Sequence, residues 1–207
     1  VYRYDQMDTN SSENSSMQMG TNSTAYYFSV ASSSIANFFD EMYLNTPWEQ
    51  HYNNLDGRTI LDRLASVKYF VVKKGKESDL PYGYSRLSGE AEKNGKTYLA
   101  YADEDALPLG YTYDSWISRE DYDKMTVTEK QQALLQGVVL DDSSLPETET
   151  HFNDREVSYY TSEGKGCRLK NGKVVVTQEN AQLKLVFEGE ENAETYLITE
   201  GLDYEGL

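Results

Sequence analysis

A single cysteine, Cys167, leaves the chain without any internal disulfide, so packing and hydrogen bonds must hold the fold. Only His51 and His151 represent histidine, and neither has a Cys or His partner at zinc spacing, which argues against a structural zinc site. No run approaches the roughly 20 apolar residues that a membrane-spanning helix needs. Bases are scarce: 19 Lys and Arg stand against 35 Asp and Glu, for a net charge of −16. That balance argues against nucleic acid as a partner and against direct contact with an anionic lipid surface. Nucleophile elbows of the form G-x-S-x-G, phosphate-binding P-loops, H-E-x-x-H helices and G-x-G-x-x-G turns are all missing. The chain opens on Val1 rather than Met and reads as a piece of a longer protein, so missing targeting signals carry no information.

What is present describes a folded domain. The chain has 207 residues, of which 38% are hydrophobic and 26% charged, enough for a real core. Tyr is over-used, with 18 residues against 6 Phe and 2 Trp. Its ring packs while its hydroxyl stays hydrogen-bonded, which suits half-buried strands first and sugar-facing or partner-facing surfaces second. Residues 1–140 carry 20 acids and 13 bases (net −7), and residues 141–207 carry 15 acids and 6 bases (net −9), so the C-terminal third is the more negative per residue.

The stretch from Ala106 to Leu140 is the most consistent locally. Pro108 and Gly110 lead into an aromatic, strand-like segment from Tyr111 to Ile117, and Ser118 opens an acidic turn. Thr126 and Glu129 form a capping box for a helix with Val127, Leu134, Leu135 and Val138 near one face, and Gly137 supplies a left-handed exit. Val138 to Leu140 then reads as a strand. Upstream, Tyr2-Arg3-Tyr4 and Tyr26 to Val30 read as strands around a polar loop, Thr9 to Thr24. Ser32 or Ser33 caps a helix with Ile35, Phe38, Phe39, Met42 and Tyr43 on one side, ended by Asn45-Thr46-Pro47. Trp48 to Gly57 is irregular. Thr59 to Ala65 reads as a short helix, Val67 to Val72 and Lys96 to Ala102 as strands, and the interval from Lys73 to Gly95 as a long loop or hairpin.

Asp141 to Asp154 has linker composition. Beyond it Val157 to Thr161, Cys167 to Leu169, Val174 to Gln178, Leu183 to Phe187 and Thr195 to Thr199 read as strands, with a two-residue hairpin turn at Asn171-Gly172. The expected fold is α+β. A mixed α/β part with a few short helices spans 1–140, an acidic linker 141–154, and an antiparallel, sandwich- or jelly-roll-like β-rich part 155–207.

Candidate chemistry is sparse. Asp114 follows the aromatic segment and precedes Trp116, an acid beside a ring of the kind that holds a sugar by stacking and edge hydrogen bonds. Tyr82-Gly83-Tyr84 could stack a sugar in the same way, although Gly between two Tyr is also ordinary turn chemistry. Asp103-Glu104-Asp105 lacks calcium-loop spacing and reads as a solvated turn. Asn10-Ser11-Ser12, Asn14-Ser15-Ser16 and Asn22-Ser23-Thr24 match the glycosylation acceptor pattern, which has meaning only in a eukaryotic secretory setting. The residues point to no catalytic group, no metal site and no cofactor.

The same stretches carry a family resemblance. Ala106-Leu107-Pro108-Leu109-Gly110-Tyr111, Tyr113-Asp114, Ile117-Ser118 and Lys130-Gln131 through Leu134-Leu135 resemble the YfhO family of bacterial membrane proteins. Leu61 to Phe70, the N-terminal Tyr2-Arg3, the Asn/Ser/Thr-rich loop, the Ser-capped Phe helix and Glu194-Thr195-Tyr196-Leu197 fit in the same order. Ala65-Ser66 departs from it, standing where Leu-Gly is expected before the Val. The resemblance implies a polytopic GT-C type glycosyltransferase of the bacterial cytoplasmic membrane. Such a protein takes sugar from a polyprenyl-phosphate carrier and passes it to a cell-envelope polymer such as teichoic acid. Its catalytic acid would lie in an early extracytoplasmic loop outside this chain, so no catalytic residue is carried over. These residues would be an extracytoplasmic region that binds an acceptor or partner, with the membrane spans elsewhere. A free-standing cell-surface carbohydrate-binding or adhesin module is the alternative.

Overall fold

A computed structural model describes residues 1–6, 14–30, 32–45, 50–191, 193–199 and 201, and the chain divides into two compact units, Val1–Asp154 and Arg155–Leu207. In chain order the first unit holds β1 (Arg3–Gln6), α1 (Ser15–Met19), β2 (Tyr26–Tyr27), α2 (Ser33–Glu41), β3 (His51–Tyr52), α3 (Thr59–Leu64) and β4 (Val67–Lys73). It continues with β5 (Ser85–Arg86), β6 (Ala91–Lys93), β7 (Lys96–Ala102), β8 (Trp116–Ser118), α4 (Arg119–Asp123), α5 (Val127–Ala133) and β9 (Val138–Leu140). The expected mixed α/β class holds: short helices and a mixed sheet come first, antiparallel strands after.

The main sheet is built on β4, whose β-branched and aromatic residues suit a buried, pleated position. β1 lies parallel to it on one side and β7 antiparallel on the other, and β5 and β6 both pair with β7 beyond. Phe70 faces Tyr101 and Val72 faces Leu99 across the ladder, and Phe70, Val72, Leu99 and Tyr84 form one apolar cluster. The larger cluster lies among the helices, where Phe39, Met42, Leu44, Tyr52, Leu61, Ile117 and Tyr122 pack together. Each such side chain contributes about 1.5–3 kcal/mol of burial. Asn94 (φ 52) and Gly95 (φ 69) make the left-handed pair that turns β6 into β7.

Local expectations fare unevenly. The Thr126 capping box forms, with Glu129 N donating to Thr126 Oγ1 at 3.3 Å and Thr126 N donating to Glu129 Oε2 at 2.8 Å. β8 and β9 pair in parallel around α4 and α5. The strand expected over Tyr111 to Ile117 is only Trp116–Ser118. Gly137 is not left-handed. It is needed because a Cβ there would lie 3.1 Å from Ile117 Cγ1 and 3.4 Å from Ser115 O. On α5 the buried residues are Val127, Gln131 and Ala133, while Leu135 is exposed. On α2, Phe39 and Met42 are buried but Ile35 and Tyr43 are not. The expected strand from Tyr26 is two residues long. Ser15–Met19 forms a helical turn inside the expected polar loop, closed by left-handed Gly20 (φ 66). The Asn10-Ser11-Ser12 pattern, Thr46-Pro47 and Trp48 lie outside the described residues.

Asp141 to Asp154 shares the charge of a linker, yet its later residues are bound to the first unit. Trp116 N donates to Pro146 O at 3.1 Å and Thr148 N to Trp116 O at 2.8 Å. Gln136 exchanges two hydrogen bonds with the backbone of His151, at 2.8 and 2.9 Å. A polar side chain in the turn after α5 thereby adds to the bridge by which Glu147 pairs with Trp116 of β8.

The second unit holds β10 (Tyr159–Lys165), β11 (Cys167–Lys170), β12 (Lys173–Val176) and β13 (Gln182–Phe187), paired antiparallel as β10 with β13 and β11 with β12. Asn171 (φ 50) and Gly172 (φ 71) close the expected hairpin. The strand expected at Thr195 to Thr199 does not form. None of this unit's described residues is buried.

α3 ends on Ser66 in the left-handed region (φ 61), with its N–H on Arg63 O at 3.1 Å and its carbonyl accepting from Arg3 N at 2.7 Å. This is where the family pattern places Gly, and the geometry supplies the reason: a Cβ in this conformation costs about 1–2 kcal/mol. Ser66→Gly is expected to raise stability by about 1 kcal/mol, read as a higher urea midpoint at constant slope. A lower midpoint would show that the Ser66 side chain contributes more than its backbone strain costs.

Candidate functional site

Four acids and one tyrosine meet where α3 packs against the main sheet. Arg63, on α3, forks onto Asp103 at the end of β7, with Nε 2.6 Å from Oδ2 and Nη2 3.2 Å from Oδ1. Arg63 Nη2 also reaches Asp105 Oδ2 at 2.9 Å. Asp103 itself is buried, so the expected solvated turn is anchored by an ion pair, while Glu104 and Asp105 stay exposed, Glu104 with its carboxylate on Lys68 Nζ at 2.6 Å. Gly83 makes room for this fork: a Cβ there would lie 3.1 Å from Arg63 Nη2, and its φ of 87 needs glycine in any case. The hydrogen bond from Arg63 to Asp103 holds the guanidinium pKa above its usual value.

Tyr84 stands beside this fork. Its hydroxyl donates to Val67 O at 2.8 Å, with Asp62 Oδ2 at 3.3 Å. Burial first, then the negative charge of Asp62 and Asp103, push its pKa far above the phenol range. Its ring packs edge-on against Phe70, 5.5 Å between centroids. The side chain expected to stack a sugar is therefore a core residue. Tyr82, two residues earlier, is half exposed, and its carbonyl accepts from Thr59 Oγ1 at 2.7 Å.

Asp5, on β1, is fully buried. Thr24 Oγ1 donates to Oδ2, and Gln6 N donates to Oδ1 at 3.0 Å. Desolvation outweighs both hydrogen bonds and raises its carboxyl pKa to about 7. Nothing in the sequence marks Asp5, because its burial comes from β1 pairing with β4 far along the chain. Asp5 is thus closed to solvent, whereas Asp105 beside Arg63 is exposed.

The second expected pair lies elsewhere. Asp114 is exposed just before β8, and Trp116 is half-buried with its backbone clamped between Pro146 and Thr148. In the second unit an open groove of about 610 Å³ lies along β10 and β13, lined by Val157, Tyr160, Val186 and Phe187, with Arg155 Nη1 2.7 Å from Glu190 Oε1 at its rim. In the ladder beside it Tyr159 lies opposite Phe187 and Tyr160 opposite Val186. Among the described residues no group of three or more His, Cys, Asp or Glu could hold a metal ion.

A family model described as bacterial membrane protein YfhO matches residues 1–203. An uncharacterized protein YfhO from Bacillus subtilis (strain 168) is 28% identical over 129 residues, covering 62% of this chain and 14% of the relative. The chain thus spans about one-seventh of that relative's length. No solved structure matches. Among the described residues no helix is long and apolar enough to cross a membrane.

Two changes test the cluster. A carboxyl whose folded pKa (about 7) exceeds its unfolded value (3.8) stabilises fully below pH 3.8, and that contribution is lost as pH rises through about 7. Asp5→Asn is expected to match the parent near pH 4 and to exceed it in stability at pH 8 by on the order of 1–4 kcal/mol, seen as diverging urea midpoints. Equal midpoints at both pH values would contradict the burial account. Asp103→Ala strands Arg63 and should cost about 3 kcal/mol.

Proposed function

The chain belongs to the YfhO family of bacterial membrane proteins, and from that membership we propose that it is an extracytoplasmic region of a polytopic membrane protein whose catalytic centre lies outside these residues. One combined observation carries this reading. The family match runs across residues 1–203, yet the chain spans only 14% of its Bacillus relative and has no described helix able to cross a membrane. The spans that make the relative a membrane protein then lie elsewhere in the polypeptide.

The parent's chemistry, on this reading, is transfer of a sugar from a polyprenyl-phosphate carrier to a cell-envelope polymer such as teichoic acid. A lipid-carried sugar presents its reactive carbon at the membrane surface, so bond formation belongs to membrane-proximal loops. A region above the membrane steers the acceptor or organises partners. The burial of Asp5, Asp62 and Asp103 supports this division, since it keeps three of the four clustered acids from any acceptor. Charge narrows it further: at −16 the chain repels a phosphate-rich polymer. Contact then falls to uncharged sugar faces, which stack on exposed rings such as Tyr82, with Trp116 and the edge-on carboxylate of Asp114 as a second contact.

Location is tested by fusing alkaline phosphatase or green fluorescent protein after residue 201 in the full-length gene. An active phosphatase and a dark fluorescent protein are expected, and the reverse pattern sinks the proposal. For acceptor contact, Tyr82→Ala and Asp114→Ala should each weaken retention on envelope glycan by roughly three- to tenfold at unchanged melting temperature. Unchanged retention in both would assign this region to partner organisation alone.

A further inference from the structure

Residues 14–39 contain no Asp, Glu, Lys or Arg, in a chain where 26% of residues are charged. The structure draws this run together on the first unit. The Asn14 side chain clasps the backbone of Tyr27 in both directions, each bond 3.1 Å, which ties α1 to β2. Phe28 N donates to Gln50 O at 3.4 Å, and the Phe28 ring lies 5.9 Å from Tyr26. α2 follows directly and anchors on Tyr52 through Phe39, 4.7 Å between rings. The apolar side chains of this run are exposed: Met17 is 64% exposed, Met19 57%, Phe28 51%, Val30 86% and Ile35 38%.

We propose that this uncharged face of α1, β2 and the start of α2 rests in the headgroup layer of the membrane, with phospholipid as its partner. The leaflet involved rests on the extracytoplasmic reading above, while the contact itself does not. Three observations favour lipid. Insertion of residues 14–39 desolvates no charge of their own, because none of them carries one. Between the apolar tips stand Ser, Thr, Asn and Gln, and Tyr27 is exposed among them, the mixture of rings and short hydrogen-bonding groups that suits the interfacial zone. Repulsion also orients the unit: acids dominate the rest of the chain and are pushed from an anionic leaflet within a Debye length of about 8–10 Å, leaving the charge-free run as the face of approach. A protein-binding hot spot, by contrast, favours rigid Trp, Tyr and Arg anchors in pockets over flexible Met and a lone Val on a turn.

The test uses the Cys167→Ser chain, tethered by a terminal histidine tag to phosphatidylcholine vesicles carrying nickel-chelating lipid. Single cysteines replace Met17, Phe28, Val30 and, as a control on exposed β6, Lys93, and each carries a nitrobenzoxadiazole dye. Blue-shifted emission quenched by doxyl lipids is expected at the first three positions and not at the control. Without the tether, Phe28→Glu/Val30→Glu should lower vesicle partition by roughly tenfold at an unchanged circular dichroism melt, since both side chains are exposed. Emission at 28 and 30 that ignores lipid overturns the proposal. So does emission that shifts with protein concentration in lipid-free buffer, which would assign the face to a second copy of the chain. A cytoplasmic result from the fusion reporters would remove the extracytoplasmic reading while leaving the vesicle result in force.

Discussion

The Arg63–Asp103 fork is the contact on which the first unit's geometry turns. One guanidinium fixes Asp103 and Asp105, and the carbonyl of the same residue accepts Leu107 N at 3.1 Å. The chain leaving β7 is thereby steered across the end of α3 toward the β8–β9 pair. Replacing Asp103 by a neutral residue would strand the arginine, and adding a side chain at Gly83 would displace it. Three separate pieces of sequence therefore converge on one charged group, and Tyr84 seals the sheet side of it with its hydroxyl on Val67.

Structure that depends on neighbours in sequence was legible, and structure that depends on distant pairing was not. The Thr126 capping box, the Asn171-Gly172 turn and the β4 and β7 strands each announce themselves within a few residues. The Asp103-Glu104-Asp105 run misled because its partner, Arg63, lies forty positions away and was read only as a helix residue. Gly137 misled differently: glycine after a helix usually marks a left-handed exit, and here it marks close approach of Ile117 and Ser115. Of the four residues singled out for ligand contact, Tyr84 turned inward, packing on Phe70 just before β5 joins β7. Tyr82 and Asp114 remain at the surface. The family resemblance was carried by motifs standing in the family's order, and the departure at Ala65-Ser66 falls on a left-handed backbone position that suits the expected Gly.

The two units solve the burial problem differently. The first closes two apolar clusters among short elements, so that nearly every helix is fixed by what it covers rather than by its own length. The second consists of two-stranded ladders, which are marginal in isolation. Its Val174, Val176, Tyr160 and Phe187 remain exposed. Acidity rises in the same direction, from a net −7 over residues 1–140 to −9 over the shorter 141–207.

β1 has its parallel partner in a strand that begins at Val67, with Arg3 opposite that residue. A chain emerging from the ribosome or a translocation channel therefore presents β1 long before β4 exists to receive it. Sixty-odd residues of helix and turn must be made first, and the closing step carries the entropy of that whole loop. Through that interval Asp5 is solvated, and docking raises its carboxyl pKa to about 7. Closure of the first strand then takes up a proton below that pH and meets the cost of a buried charge above it.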